Sequence, residues 1–353
     1  MINNSKNILV FRFSALGDVA MTIPVFWALS NDYPDVKITF VSRGFAGPLT
    51  NSLSNVKFIK LDDKGRHKGL WGIVRLFFDL KKVEDWDALA DLHDVLRTKI
   101  LRFLFLFVGV KSKVINKGRA DKKKLTRKSN KKLVQVEHSV ERYANVFKRL
   151  GFPLKSLCRF NGVFASKPDL LKYESLFQKA KQERLVGIAP FAKHKGKMYP
   201  LPLMQKVIDE LSADKSISLI LFGSRGDEQK SLEKIASECE NVYSLAGLLS
   251  LDEELEVMAN LDVMISMDSA NMHLATLSGV RVVSVWGATH PFAGFYGWQQ
   301  NPENAVQLNL FCRPCSVFGN KPCYRKDYAC MNELAPSLIT AKVKELLAGS
   351  SLK

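Results

Sequence analysis

From residue 8 onward, short runs of β-branched and aromatic residues alternate with segments in which apolar positions recur at helical spacing. Uninterrupted apolar runs suit strands buried on both faces, and the helix-period segments suit crossovers, so the pattern predicts parallel sheets assembled from βα units. Strands are expected at residues 8–13, 36–41, 56–61, 88–92 and 113–116, with helices over 19–30, 69–82, 95–107 and 137–150. Gly151-Phe152-Pro153 then reads as a helix stop followed by a linker. After an irregular stretch, 155–167, and a charged helix to about Gln182, the alternation resumes. Strands are expected at 185–189, 218–222, 242–245, 262–266 and 281–286, and helices at 203–212, 227–238, 252–260, 271–277 and 336–347. The simplest architecture is α/β, with two doubly wound Rossmann-like domains, residues 1–165 and 166–335, facing a central cleft. The closing segment, 336–353, is expected to be a helix that packs back on the first domain.

The 353 residues are 46% hydrophobic and 25% charged, which suits a globular protein with two cores. The apolar run 103–110 falls far short of the roughly 20 residues of a membrane span. Lys6 precedes only a short apolar stretch that Arg12 interrupts, so no signal peptide is expected and the cytoplasm is the predicted location. A net charge of +17 predicts a polyanionic partner: nucleic acid, an anionic membrane surface or a phosphorylated substrate. Residues 111–132 hold eleven cations and one acid, Asp121, and past residue 117 a mobile basic loop is expected.

Chemistry concentrates where predicted strands end. Asp268-Ser269-Ala270-Asn271-Met272-His273-Leu274 follows one strand and starts a helix, placing a carboxylate, a hydroxyl and unpaired helix N–H groups where an anion binds in an open α/β sheet; an ordinary N-cap is the plain alternative. Phe13-Ser14-Ala15-Leu16-Gly17-Asp18-Val19 is a strand-to-helix turn in which Gly17 permits close backbone approach. Asp18 there is either a helix cap or a general base. No G-x-G-x-x-G follows the first strand, which argues against a dinucleotide site. Lys193, Lys195 and Lys197 crowd the loop after residue 189, where they suit a diphosphate.

In order and spacing these motifs resemble those of glycosyltransferase family 9, the heptosyltransferases of bacterial lipopolysaccharide synthesis, over nearly the whole chain. The resemblance rests on 13–19, Asp91-Leu92-His93, Lys197-Met198-Tyr199-Pro200, 268–275 and Val285-Trp286-Gly287-Ala288-Thr289-His290-Pro291. It implies a GT-B fold and inverting, metal-independent transfer of heptose from ADP-heptose to a hydroxyl of a lipopolysaccharide core or lipid A-linked acceptor, with no cofactor required. Asp18 then matches the base and Lys197 a residue on the donor phosphates. Lys193, Asp268, Ser269, Ala270, Asn271, His273 and Thr289 are expected to bind the donor, with Trp286 and Gly287 lining the same place. Ser14, Gly17, His93, Arg119 and Lys122 are expected to bind the acceptor. The enzyme would work peripherally on the inner face of the cytoplasmic membrane, where 111–132 and the aromatic-rich stretch 101–108 meet an amphipathic acceptor or anionic lipid.

Two departures stand out: Ala270 occupies a position usually held by Gly, and Arg225 one where some members place an acid that holds the ribose, leaving Asp227 or Glu228 to substitute. Cys312, Cys315, Cys323 and Cys330 have a spacing compatible with a four-thiolate zinc site, although reduced thiols in a packed loop are the leading reading. A non-hydrolysing nucleotide-sugar epimerase and a basic nucleic-acid-binding protein are the rival functions. No specific nucleic acid is expected, because the cationic segment lacks interleaved aromatics and any known recognition signature.

Overall fold

The computed structural model describes residues 6–176 and 184–349. The chain forms two compact units, one from residues up to Lys117 together with His138–Asn161, the other from Gly118–Glu137 together with Gly162 onward.

The first unit is a five-stranded parallel sheet in the order β3-β2-β1-β4-β5, with β1 at Asn7–Phe11, β2 at Lys37–Arg43, β3 at Val56–Leu61, β4 at Ala88–Asp91 and β5 at Lys111–Val114. Its helices are α1 (Leu16–Ala20), α2 (Ile23–Asp32), α3 (Gly69–Val83), α4 (Leu96–Phe107) and, after α5 (Arg119–Leu125) of the other unit, α6 (Ser139–Arg149). On one side Leu9, Phe11 and Leu89 pack with Ile73, Leu76, Phe77 and Leu80 of α3 and Leu101 and Phe105 of α4. On the other, Phe26 of α2 meets Phe40 of β2 with ring centres 5.0 Å apart. The strand order reverses between β1 and β4, so the segments after these two strands diverge and leave a crevice at the C-terminal edge.

The second unit repeats the plan with six parallel strands in the order β11-β10-β9-β6-β7-β8. These are β6 (Arg184–Ala189), β7 (Ile217–Leu221), β8 (Val242–Ser244), β9 (Val263–Met267), β10 (Arg281–Val285) and β11 (Ala305–Val306). The helices are α7 (Leu201–Ser212), α8 (Asp227–Ser237), α9 (Leu251–Ala259), α10 (Ala270–Leu277), the short α11 (Ala329–Asn332) and α12 (Pro336–Ala348). Here the order reverses between β6 and β9.

Several expectations are corrected. The helix expected over 19–30 breaks at Met21–Thr22, because Pro24 brings no N–H and suits only a first turn; Thr22 starts α2 and its hydroxyl donates to the Val19 carbonyl at 2.7 Å. Residues past 117 include helix α5, and the segment joins the second unit, where the Val136 N–H bonds the Phe292 carbonyl at 2.9 Å. Helix α12 buries Ile339, Val343 and Leu347 in the second unit's core, with Leu211, Val283 and Val285. Of the charged helix expected to Gln182, Leu171–Leu176 forms a 3-10 helix and residues 177–183 lie outside the described residues. Strand β11 was not anticipated, since two residues carry no periodicity.

Candidate active site

In the first unit, Asp18 sits at the third position of α1, immediately beyond β1, half-buried. Its Oδ2 accepts from the Ala15 N–H at 3.3 Å and pairs with the Arg12 guanidinium at 2.6 Å. Asp18 is thus a helix cap, as the plain reading held, but only one of its oxygens is used; no bond to Oδ1 is formed among the described residues. Arg12, the residue directly after β1, also donates to the Leu92 carbonyl at 2.9 Å and lies over the Tyr143 ring. It therefore fastens the segments after β1 and β4 to each other. Sequence reasoning passed over Arg12, reading it only as an interruption of an apolar run.

His93 stands beside this pair. Its Nδ1 accepts the Phe13 N–H at 3.3 Å, so the ring proton belongs on Nε2, which leaves an N–H to donate. Burial, with Arg12 and Lys117 nearby, pushes the imidazole down to about 3, keeping it neutral near pH 7. Beneath it, buried Asp91 accepts from the His93 and Asp94 N–H groups at 2.9 and 2.8 Å and pairs with Arg102 of α4 at 3.1 Å. Ser14 and Gly17 lie half-buried on the same turn as Asp18.

In the second unit, the loop after β6 and the turn after β9 meet at the strand-order reversal. The Lys197 ammonium pairs with Asp268 at 2.9 Å, both largely buried. Close glycine contacts set the lysine's course. A Cβ on Gly287 would lie 2.6 Å from the Gly196 carbonyl, and one on Gly319, whose φ is +73°, would lie 2.6 Å from Lys197 Cγ. The Ala288 N–H closes the contact on the Gly196 carbonyl at 2.8 Å. Ser269 is the N-cap residue of α10, yet its hydroxyl makes no capping bond and instead lies 3.3 Å from the Ser266 hydroxyl. The first-turn N–H groups, from Ala270 and Asn271 onward, are thus not capped by that side chain, as befits an anion site.

The other expected residues divide. His273 is buried one turn into α10, and Thr289 is fully buried after β10. Trp286 is fully buried with its indole N–H on Ser284 at 2.8 Å, so it belongs to the core and not to the lining. Glu228 accepts both the N–H and hydroxyl of Ser224 at 2.8 Å, and Arg225 donates to the Gly247 carbonyl at 2.7 Å, so this loop is braced internally. Lys193 is exposed. Arg119 and Lys122, expected on the acceptor-binding first domain, belong to the second unit; Lys122 is buried with its ammonium 4.0 Å from the Phe295 ring centre.

Buried Arg313 was also missed by sequence reasoning, which saw in its neighbourhood only the cysteine spacing. It donates to the carbonyls of Gly287 (2.5 Å), Thr289 (3.0 Å) and Leu308, and to Gln307 Oε1 (2.8 Å). Burial brings its guanidinium down to about 10, still charged at neutral pH. The same loop is held from outside by Lys131, whose ammonium donates to the carbonyls of Phe311, Cys312, Arg313 and Pro314. The four nearby cysteines are free thiols, and among the described residues no group of three or more His, Cys, Asp or Glu is arranged to hold a metal ion.

The model of glycosyltransferase family 9 (heptosyltransferase) matches residues 74–323. Lipooligosaccharide heptosyltransferase 2 of Campylobacter jejuni is 24% identical over 96% of this chain and 97% of its own. Among solved structures, a family 9 glycosyltransferase of Veillonella parvula superposes with a TM-score of 0.75 at 18% identity, covering 99% of both chains. A heptosyltransferase of Escherichia coli solved with ADP-2-deoxy-2-fluoro heptose gives 0.65 at 16% identity, covering 96% of this chain and 99% of that one.

Proposed function

Since the chain belongs to glycosyltransferase family 9, the heptosyltransferases, we propose that it moves heptose from ADP-heptose to a hydroxyl of a lipopolysaccharide core acceptor, with Asp18 as general base. The supporting observation is the Asp18 carboxylate, anchored through Oδ2 by Arg12 and Ala15 with Oδ1 left to take a proton. As the acceptor oxygen attacks the anomeric carbon opposite the leaving diphosphate, its proton passes to that oxygen, and the configuration inverts. The neutral His93 offers an Nε2–H to the acceptor, next to Ser14 and Gly17. Charge accumulates on the departing diphosphate, and Lys197, held by Asp268, together with the Ser269 hydroxyl and the first-turn N–H groups of α10 at Ala270 and Asn271 stabilises it without a metal. Lys193 and His273 complete the donor side, while Thr289, as fully buried as Trp286, supports the loop from behind. The ADP-2-deoxy-2-fluoro heptose bound by the E. coli heptosyltransferase supports the choice of nucleotide.

The acceptor implies work at the cytoplasmic face of the inner membrane by a peripheral enzyme; no helix among the described residues is long and apolar enough to cross a bilayer. The family match leaves the epimerase and nucleic-acid readings without support. The test is incubation with ADP-heptose and a deacylated core acceptor. Acceptor-dependent ADP release is expected, and release no greater than that of Asp18→Asn overturns the proposal.

A further inference from the structure

Helices α3 and α4 are apolar on two sides. Their inner faces fill the first unit's core, and the Phe77 and Phe105 rings, 4.8 Å apart, pack the two helices together. Their outer faces carry a second stripe. On α3 it runs Trp71, Arg75, Phe78, Lys82, and on α4 Leu96, Lys99, Phe103, Phe107, both at steps of three and four residues and all exposed. Trp71 is 80% exposed and Phe107 73%. An outward helix face is ordinarily polar, and adjoining exposed aromatics mark an interaction surface.

The charges select the partner. Helix α4 carries Arg97, Lys99 and Arg102 and no acid; α3 carries Arg75, Lys81 and Lys82 against Asp79 alone, which is already paired with Arg66 at 2.7 Å. Arg97, Lys99 and Arg102 are paired with Asp63, Asp94 and Asp91, whereas Arg75, Lys81 and Lys82 of α3 form no ion pair among the described residues. Tryptophan and phenylalanine interspersed with such cations match the interface of an anionic bilayer, where rings enter the headgroup boundary and long cationic side chains reach lipid phosphates. A second copy docking face to face would set these cations against each other. We therefore propose that the outer face of α3 and α4 docks the enzyme on anionic phospholipid. Helix α4 begins three residues after His93 and is tied by Arg102 to Asp91, so the docked surface lies beside the Asp18 edge of the same sheet. The surface deepens the membrane location proposed above and rests on that reading, but not on the sugar chemistry.

Flotation with vesicles of phosphatidylethanolamine and phosphatidylglycerol tests it. The full chain should float with them, be released by high salt and bind pure phosphatidylcholine weakly. The triple change Trp71→Ser, Phe103→Ser, Phe107→Ser should lower partitioning at least about tenfold, and Arg75→Gln with Lys82→Gln about fivefold per charge. Both variants should keep the wild-type melting temperature and ADP release with a deacylated acceptor. Wild-type partitioning by either variant, equal binding to phosphatidylcholine, or a wild-type dimer that the triple change makes monomeric would overturn the surface. Vesicle binding by a chain without turnover supports the surface and counts against the proposed chemistry alone.

Discussion

At the scale of single residues, Asp18 and His93 make separable predictions. Asp18→Asn keeps the cap and most of the contact with Arg12 but cannot take a proton, so kcat should fall by about 10²–10⁴ with donor KM little changed. Arg12→Ala should also lower kcat, because the carboxylate loses its anchor, while Arg12→Lys recovers part of the loss; equal activity in all three forms would remove Arg12 from the site. His93 governs stability instead. Its folded value of about 3 lies below the ordinary 6.5, so the unfolded chain binds the extra proton between these limits. Its contribution is complete above pH 6.5 and is lost as pH falls toward 3, amounting to about 1–2 kcal/mol by pH 5. Urea unfolding at pH 7 and pH 5 should show this difference in the wild type, smaller in His93→Gln. Buried His290, brought down to about 4, leaves a residual effect of the same sign.

At the scale of elements, the donor-side geometry depends on loops packed against loops. Gly196, Gly287 and Gly319 let the segments around Lys197 approach to contact, and Arg313 ties the Gly287–Thr289 backbone to the segment near Leu308. Gly287→Val should cost about 1–3 kcal/mol through overpacking and weaken ADP binding, measured by calorimetry, while leaving the first unit intact. Arg313→Ala strands several buried carbonyls and should cost about 3 kcal/mol or more. The elements themselves were largely legible. Alternation in 36–41 and 56–61 and helical spacing in 69–82 lie within a residue or two of β2, β3 and α3. What failed was local competition: Pro24 split a helix, and a segment rich in cations, read as a solvated loop, folded into α5 because Lys122 and Leu125 had somewhere to be buried.

At the scale of the whole chain, the two compact units should respond differently to ligand. ADP at about 100 times its Kd should stabilise the native state by about 2.7 kcal/mol, with amide-exchange protection concentrated after β6, β9 and β10. UDP and GDP should give smaller shifts in melting temperature; an equal shift by all three would remove adenine as the base read. The sequence by itself determined every strand but β11, that the sheets are parallel, and which turns carry Asp18, Lys197 and Asp268, because hydrophobic period and turn chemistry are local properties. Only tertiary structure decided that Arg12 holds Asp18, that Lys197 meets Asp268, that 118–137 and α12 join the second unit, and that α3 and α4 keep aromatic stripes outside. Those outcomes depend on strand order and on which helix face finds a partner, and both are set by contacts between residues far apart in the chain.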